Sequence, residues 1–85
     1  MIYEICVKPQ NVKRGEIYIF KDNFKGQVSK ALVKIMNKKE TDTHYKFLVR
    51  LLEIHQGVFR KNYFTIAINK RNDVLEQRFY ERVMI

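Results

Sequence analysis

Apolar and polar residues alternate with a period of two over much of this chain, the pattern of strands with one covered and one open face. Residues 2–7 (IYEICV) are β-rich and predict an opening strand. It ends at Pro9-Gln10-Asn11, where proline removes a ladder donor. Lys13-Arg14-Gly15 leads into a second strand over 16–20, with Ile17 and Ile19 facing one way and Tyr18 and Phe20 the other. Asp22-Asn23 with Gly26 marks the loop that follows. In HYKFLVRLLEI, Tyr45, Phe47, Val49 and Leu51 alternate against Lys46, Leu48, Arg50 and Leu52, a clear strand. His55-Gln56-Gly57 makes the next turn, and YFTIAIN over 63–69 places Phe64, Ile66 and Ile68 on one face.

Two segments carry mixed signals. Over 28–36, Val28, Leu32, Ile35 and Met36 fit a helical face, while Ser29, Ala31, Val33 and Ile35 fit a strand face. The helix would stack Lys30, Lys34 and Lys38 in one repelling row. A strand forms a simple hairpin with the next alternating run across the polar NKKETDT, and the hairpin is preferred. Beyond Asn72, Asp73 and Glu76 have capping-box spacing, and Leu75, Phe79 and Val83 recur every four residues. This predicts a short C-terminal helix over about 73–84, laying Leu75, Phe79, Tyr80, Val83 and Met84 over one sheet face or barrel end; a helical turn followed by a strand at FYERVMI is the competing reading. The fold class expected is mainly β, a small five- or six-stranded barrel with a C-terminal helix. The alternative is α+β with a helix at 24–38.

Eighty-five residues, 46% apolar, suit one domain with one core, and 31% charged residues suit a soluble surface. No Cys and His set has zinc spacing, and neither a metal nor a cofactor is expected. Cys6 lies in an apolar stretch and reads as a buried structural thiol. No basic segment precedes an apolar core at the N-terminus and no apolar run approaches a membrane span, so a cytoplasmic location without membrane contact is expected.

Charge changes the picture most. Seventeen Lys and Arg against nine Asp and Glu give +8, and residues 8–39 hold nine of the cations against only Glu16 and Asp22. Such an excess favours polyanions, so nucleic acid, DNA or RNA, is the first partner to expect and an acidic protein the second. Aromatics interleave with the cations in Tyr18, Phe20, Lys21, Phe24 and Lys25, and again in Phe59, Arg60, Lys61, Tyr63 and Phe64. Exposed rings can stack on bases while Lys and Arg hold phosphates. Phe47 and Phe64 are expected inside, with Phe24, Phe59 and Tyr63 the better candidates for exposure. The candidate nucleic-acid-binding residues are Lys13, Arg14, Lys21, Phe24, Lys25, Lys30, Lys34, Arg60, Lys61 and Tyr63.

The run from Lys13 to Thr65, with RGEIYIF, KALVKIM, HYKFLVRLLEI and a closing strand, resembles a small barrel of the Src-homology-three or Tudor type. Such barrels bind nucleic acids, methylated peptides and protein tails, so the resemblance implies a binding module without choosing its partner. VKRGEIYIF, a Gly-x-Val-x-Lys stretch and ALVKI are more narrowly similar to the start of the MazF/PemK toxin endoribonucleases, which share the barrel and a C-terminal helix. In that family an Arg-Pro opens the second strand and its Arg takes part in RNA cleavage; here Lys30-Ala31 stands there, and the family's later Thr or Ser motif has no match around Thr43 or His44. Lysine supplies a point charge without the bidentate fork.

Only His44 and His55 titrate near neutrality, and both read as exposed loop or turn residues rather than catalysts. Asp42 and Asp73 lack a neighbouring carboxylate at ligand spacing. The leading expectation is therefore a non-enzymatic nucleic-acid-binding barrel. The alternatives are a small phage or mobile-element accessory protein that docks on and modulates an acidic host protein, and a MazF-like ribonuclease. An unpaired apolar edge strand would also allow a homodimer.

Overall fold

A computed structural model of the chain describes residues 1–71 and 77–84. Six strands form one antiparallel sheet: β1 (Ile2–Val7), β2 (Ile17–Phe24), β3 (Gln27–Glu40), β4 (His44–Gln56), β5 (Tyr63–Asn69) and β6 (Gln77–Met84). Their order across the sheet is β1-β6-β2-β3-β4-β5, so β1 and β5 are its two edges. A single 3-10 turn at Pro9–Asn11 follows β1.

Alternation sets the inner face. Tyr18 and Phe20 of β2, Ala31, Val33 and Ile35 of β3, Phe47 and Val49 of β4, Ile66 and Ile68 of β5 and Phe79 of β6 are all buried in one cluster with Val12. Phe47 is therefore inside as expected, while Phe64 is half-buried against the cluster. Register shifts in the β3–β4 pairing at Lys30/Ala31, Leu32/Val33 and Ile35/Asn37 mark bulges, which bend the two longest strands. The sheet curls so far that rings from strands distant in its order meet. Phe20 of β2 lies 6.0 Å from Phe64 of β5, and Phe47 of β4 lies 5.0 Å from Phe79 of β6.

The strand preferred over 28–36 is present as part of the fourteen-residue β3, paired with β4, and the alternative helix at 24–38 does not form. The C-terminal helix is also corrected: residues 77–84 are strand, hydrogen-bonded to β1 on one side and β2 on the other. Positions 73–76 lie outside the described residues. Residues four apart share a face in a strand as well as in a helix, so the spacing of Phe79 and Val83 does not discriminate. Phe79 points inward and is 1% exposed, whereas Tyr80 lies on the opposite face beside Ile19. Cys6 is exposed rather than buried, because β1 is an edge strand with its outer face uncovered. Among the described residues no helix is long and apolar enough to cross a membrane.

Two turns fix one end of the sheet. Lys25 and Gly26 have φ of 51° and 79°, the paired positive values of a tight type I′ hairpin between β2 and β3. Asp22 and Asn23, expected in a loop, are consequently paired residues of β2, opposite Ser29 and Val28. Gly57, at φ 84°, ends β4, and a Cβ there would lie 2.5 Å from the Ser29 hydroxyl and 3.0 Å from the Ser29 Cα. Gly57→Ala is expected to cost about 2 kcal/mol or more through left-handed strain and crowding against Ser29. Gly15→Ala, at a position with open space, should cost only the conformational part, and parallel urea titrations compare the two.

Candidate nucleic-acid interface

The outer face of the sheet is built by the other half of the alternation. Ile17, Ile19 and Lys21 of β2 stand opposite Lys34, Leu32 and Lys30 of β3. Lys21 also stands opposite Arg78 of β6, Lys34 opposite Arg50 of β4, and Lys39 opposite Lys46. Cations thus face cations across four rungs of the sheet. Like charges directly opposite each other destabilise a sheet by some tenths of a kcal/mol per pair, so this arrangement works against folding.

One acid relieves part of it. Glu4 of β1 reaches across β6, with its carboxylate oxygens 2.6 Å from Lys21 Nζ and 2.5 Å from Lys30 Nζ. Lys21 also lies over the Tyr80 ring, 4.4 Å from its centroid. The hydrogen bonds from Lys21 and Lys30 hold the Glu4 carboxyl down from 4.5 to about 2. A depressed carboxyl pKa contributes stability that is whole above pH 4.5 and is lost as pH falls towards 2. The melting temperature of the wild type should therefore fall more between pH 4.5 and 2 than that of Glu4→Gln, in thermal melts across that range.

The Lys34–Arg50 and Lys39–Lys46 pairs have no such relief: among the described residues none of the four makes an ion pair. Exposed apolar side chains border them, Ile17 and Leu48 from β2 and β4, and Tyr63, which stands opposite Arg50 and is 51% exposed. Lys38 differs from its neighbours. The bulge at Met36 turns it inward, where its ammonium donates to the Gln10 and Val12 carbonyls at 2.9 Å each and pins the 3-10 turn to the sheet.

The ten candidate residues do not form one patch. Lys21, Lys30 and Lys34 share the outer face, and Tyr63 joins them from β5. Lys25, Arg60 and Lys61 lie at the end of the sheet where the β2–β3 hairpin and the β4–β5 loop approach each other near Ser29. Lys13 and Arg14 lie at the opposite end, along an open groove of about 820 Å³ between β1 and the 3-10 turn. Their connector is tied down by the Lys13 N–H, which donates to the Tyr18 hydroxyl at 2.9 Å, and burial pushes that phenol up. Phe24 belongs to β2, but its side chain lies outside the described residues. Phe59, a candidate for exposure, is half-buried against the core cluster.

No protein-family model, curated protein or solved structure matches the chain. The six-stranded antiparallel sheet is compatible with the barrel resemblance. At the position where a MazF/PemK-like enzyme has its arginine, Lys30 is engaged by Glu4. His44 and His55 stand at the two ends of β4, eleven steps of about 3.3 Å apart, and so do not converge on one bond. His44 Nδ1 is 2.7 Å from the Thr43 hydroxyl, and His55 Nε2 is 3.7 Å from Glu53.

The cations that sequence reasoning passed over are Lys39, Lys46, Arg50, Arg78 and Arg82. The alternation of HYKFLVRLLEI already sets Lys46 and Arg50 on the face away from Phe47. The near balance of charge over 40–85 hides all of these but Lys39, because a segment's net charge does not distinguish its two faces.

Proposed function

We propose that this chain is a small nucleic-acid-binding β-domain of the Src-homology-three-like barrel type, with no catalytic role, whose outer sheet face contacts phosphates. The observation that carries the reading is the opposition of Lys34 to Arg50 with no acid paired to either among the described residues. Sheet stability alone would favour opposite charges there, whereas a polyanion would neutralise both. Lys39 opposite Lys46 and Lys21 opposite Arg78 extend the same face. The separation of the two histidines along β4 weighs against acid–base cleavage of the bound strand within one chain.

The test is fluorescence anisotropy with labelled single- and double-stranded DNA and RNA at about 50 and 200 mM salt. Several phosphate contacts should weaken binding by orders of magnitude over that range. Absence of binding at the lower salt would refute the proposal. A stoichiometric complex with an acidic protein, little affected by salt, would replace it.

A further inference from the structure

At the hairpin end of the sheet the inner face changes character. The inward rows that carry Tyr18 and Phe20 on β2, and Val33 and Ala31 on β3, continue to Asp22 and Ser29, which are cross-strand partners. Both are half-buried or close to it, and they line a cavity of about 310 Å³ whose apolar wall includes Phe20, Phe59 and Phe64. The Phe64 ring is tilted against both others, 5.8 Å from Phe59 and 6.0 Å from Phe20. Arg60 and Lys61 complete the lining from the β4–β5 loop, and both are exposed. The Asp22 side chain makes no hydrogen bond or ion pair with any described residue, despite the excess of cations around it.

Asp22 thus brings to the cavity an acceptor with no partner among the described residues, open to a ligand's donor. The cavity combines ring faces, an acceptor inside and cations on the exposed loop. An organic cation would match the rings and the carboxylate but meet repulsion from Arg60 and Lys61. A nucleotide matches all three, with its base against the rings and its phosphates beside the loop.

We propose that this cavity receives one unpaired nucleobase bearing an exocyclic amino group, which donates to the Asp22 carboxylate, while Arg60 and Lys61 hold the flanking phosphates. The inference rests on the nucleic-acid reading above and deepens it. Asp22 sets the base preference: cytosine, adenine and guanine each offer an exocyclic amino donor, whereas the one donor of an unpaired thymine, N3–H, sits between two carbonyl oxygens that a carboxylate repels. The outer face supplies affinity without reading sequence.

The experiment compares binding of an oligo(dT) strand with the same strand carrying one central dC or dA, at fixed low salt and neutral pH. The wild type is expected to prefer the substituted strands by at least about fivefold, the low end of one good base contact. Asp22→Asn, whose amide can donate to thymine, should abolish the preference while keeping binding to oligo(dT) and the far-ultraviolet spectrum. Equal wild-type affinity for all three strands would overturn the cavity assignment and leave the basic face standing. No binding to any strand would remove the nucleic-acid reading itself. Saturable binding of a trimethyl-lysine peptide that is lost in Asp22→Asn would overturn the base assignment in favour of a cation. The strand comparison uses the unmodified protein, so its outcome does not depend on how the variant folds.

Discussion

Phe79→Ala should lower the melting temperature by roughly 12 to 40 °C, as read by circular dichroism, or leave the chain largely unfolded at room temperature. The ring is 1% exposed and touches three others, with centroids 5.0 Å away at Phe47, 5.7 Å at Phe20 and 6.0 Å at Tyr18. These belong to β4 and β2, so Phe79 ties three strands of the curled sheet together across its inner face. Truncating a buried phenylalanine costs about 3–5 kcal/mol, transfer and cavity terms together. A chain of this length has a total stability of only about 4–13 kcal/mol. Collapse of the walls to refill the space would need the bulged β3–β4 pair to move. Phe79→Leu keeps most of the volume and should cost about 1–2 kcal/mol. If alanine cost less than leucine is expected to, Phe79 would not be the keystone of the core.

Lys34→Glu should raise stability and lower nucleic-acid affinity together, a combination that a purely structural role for Lys34 does not produce. The new carboxylate would stand opposite Arg50, turning a like-charge rung into an ion pair worth some tenths of a kcal/mol. It would also occupy Arg50, so one substitution removes two phosphate contacts. The slope of log K against log salt should flatten by about 2, with affinity at 50 mM salt falling about tenfold or more. Lys30→Glu is the informative contrast, because the charge of Lys30 is already engaged by Glu4. Placing a second carboxylate beside Glu4 should destabilise the sheet and alter the salt slope less. Urea titration and anisotropy on the same two variants check both signs.

Much of the sheet is legible in the sequence because period-two alternation is a local signal. Phe47 and Val49, or Ile66 and Ile68, announce their face within a few residues. The rest requires knowing which strands become neighbours. Lys34 and Arg50 lie on separate strands, and nothing local says that they meet. Asp22 is loop material by composition, and only the hairpin at Lys25-Gly26 makes it a paired residue of β2 in the row of Tyr18 and Phe20. The apolar residues around Cys6 suggest a covered strand, whereas Ile2 and Ile5 remain 62% and 52% exposed at the sheet edge. The C-terminal helix fails for a similar reason. A spacing of four belongs to both periodicities, and the long-range partners of Phe79 decide between them.

The strand order has a consequence for how the chain reaches this state. β6 lies between β1 and β2, with Ile2 opposite Met84 and Val7 opposite Phe79. During synthesis, β1 is made before β2 to β5, and its partner β6 only after them. Until then β1 has no neighbour, and β2 has one open side, so both expose unpaired backbone and apolar residues. β2 to β5 can form a meander from near neighbours in sequence, but the aromatic contacts of Phe79 must wait for β6. Pairing residues so distant carries a large loop-closure entropy, which predicts folding in a late step limited by β6 docking rather than by formation of the meander. The same order makes the nascent chain most prone to association through β1 while it is incomplete, and least so once β6 is seated.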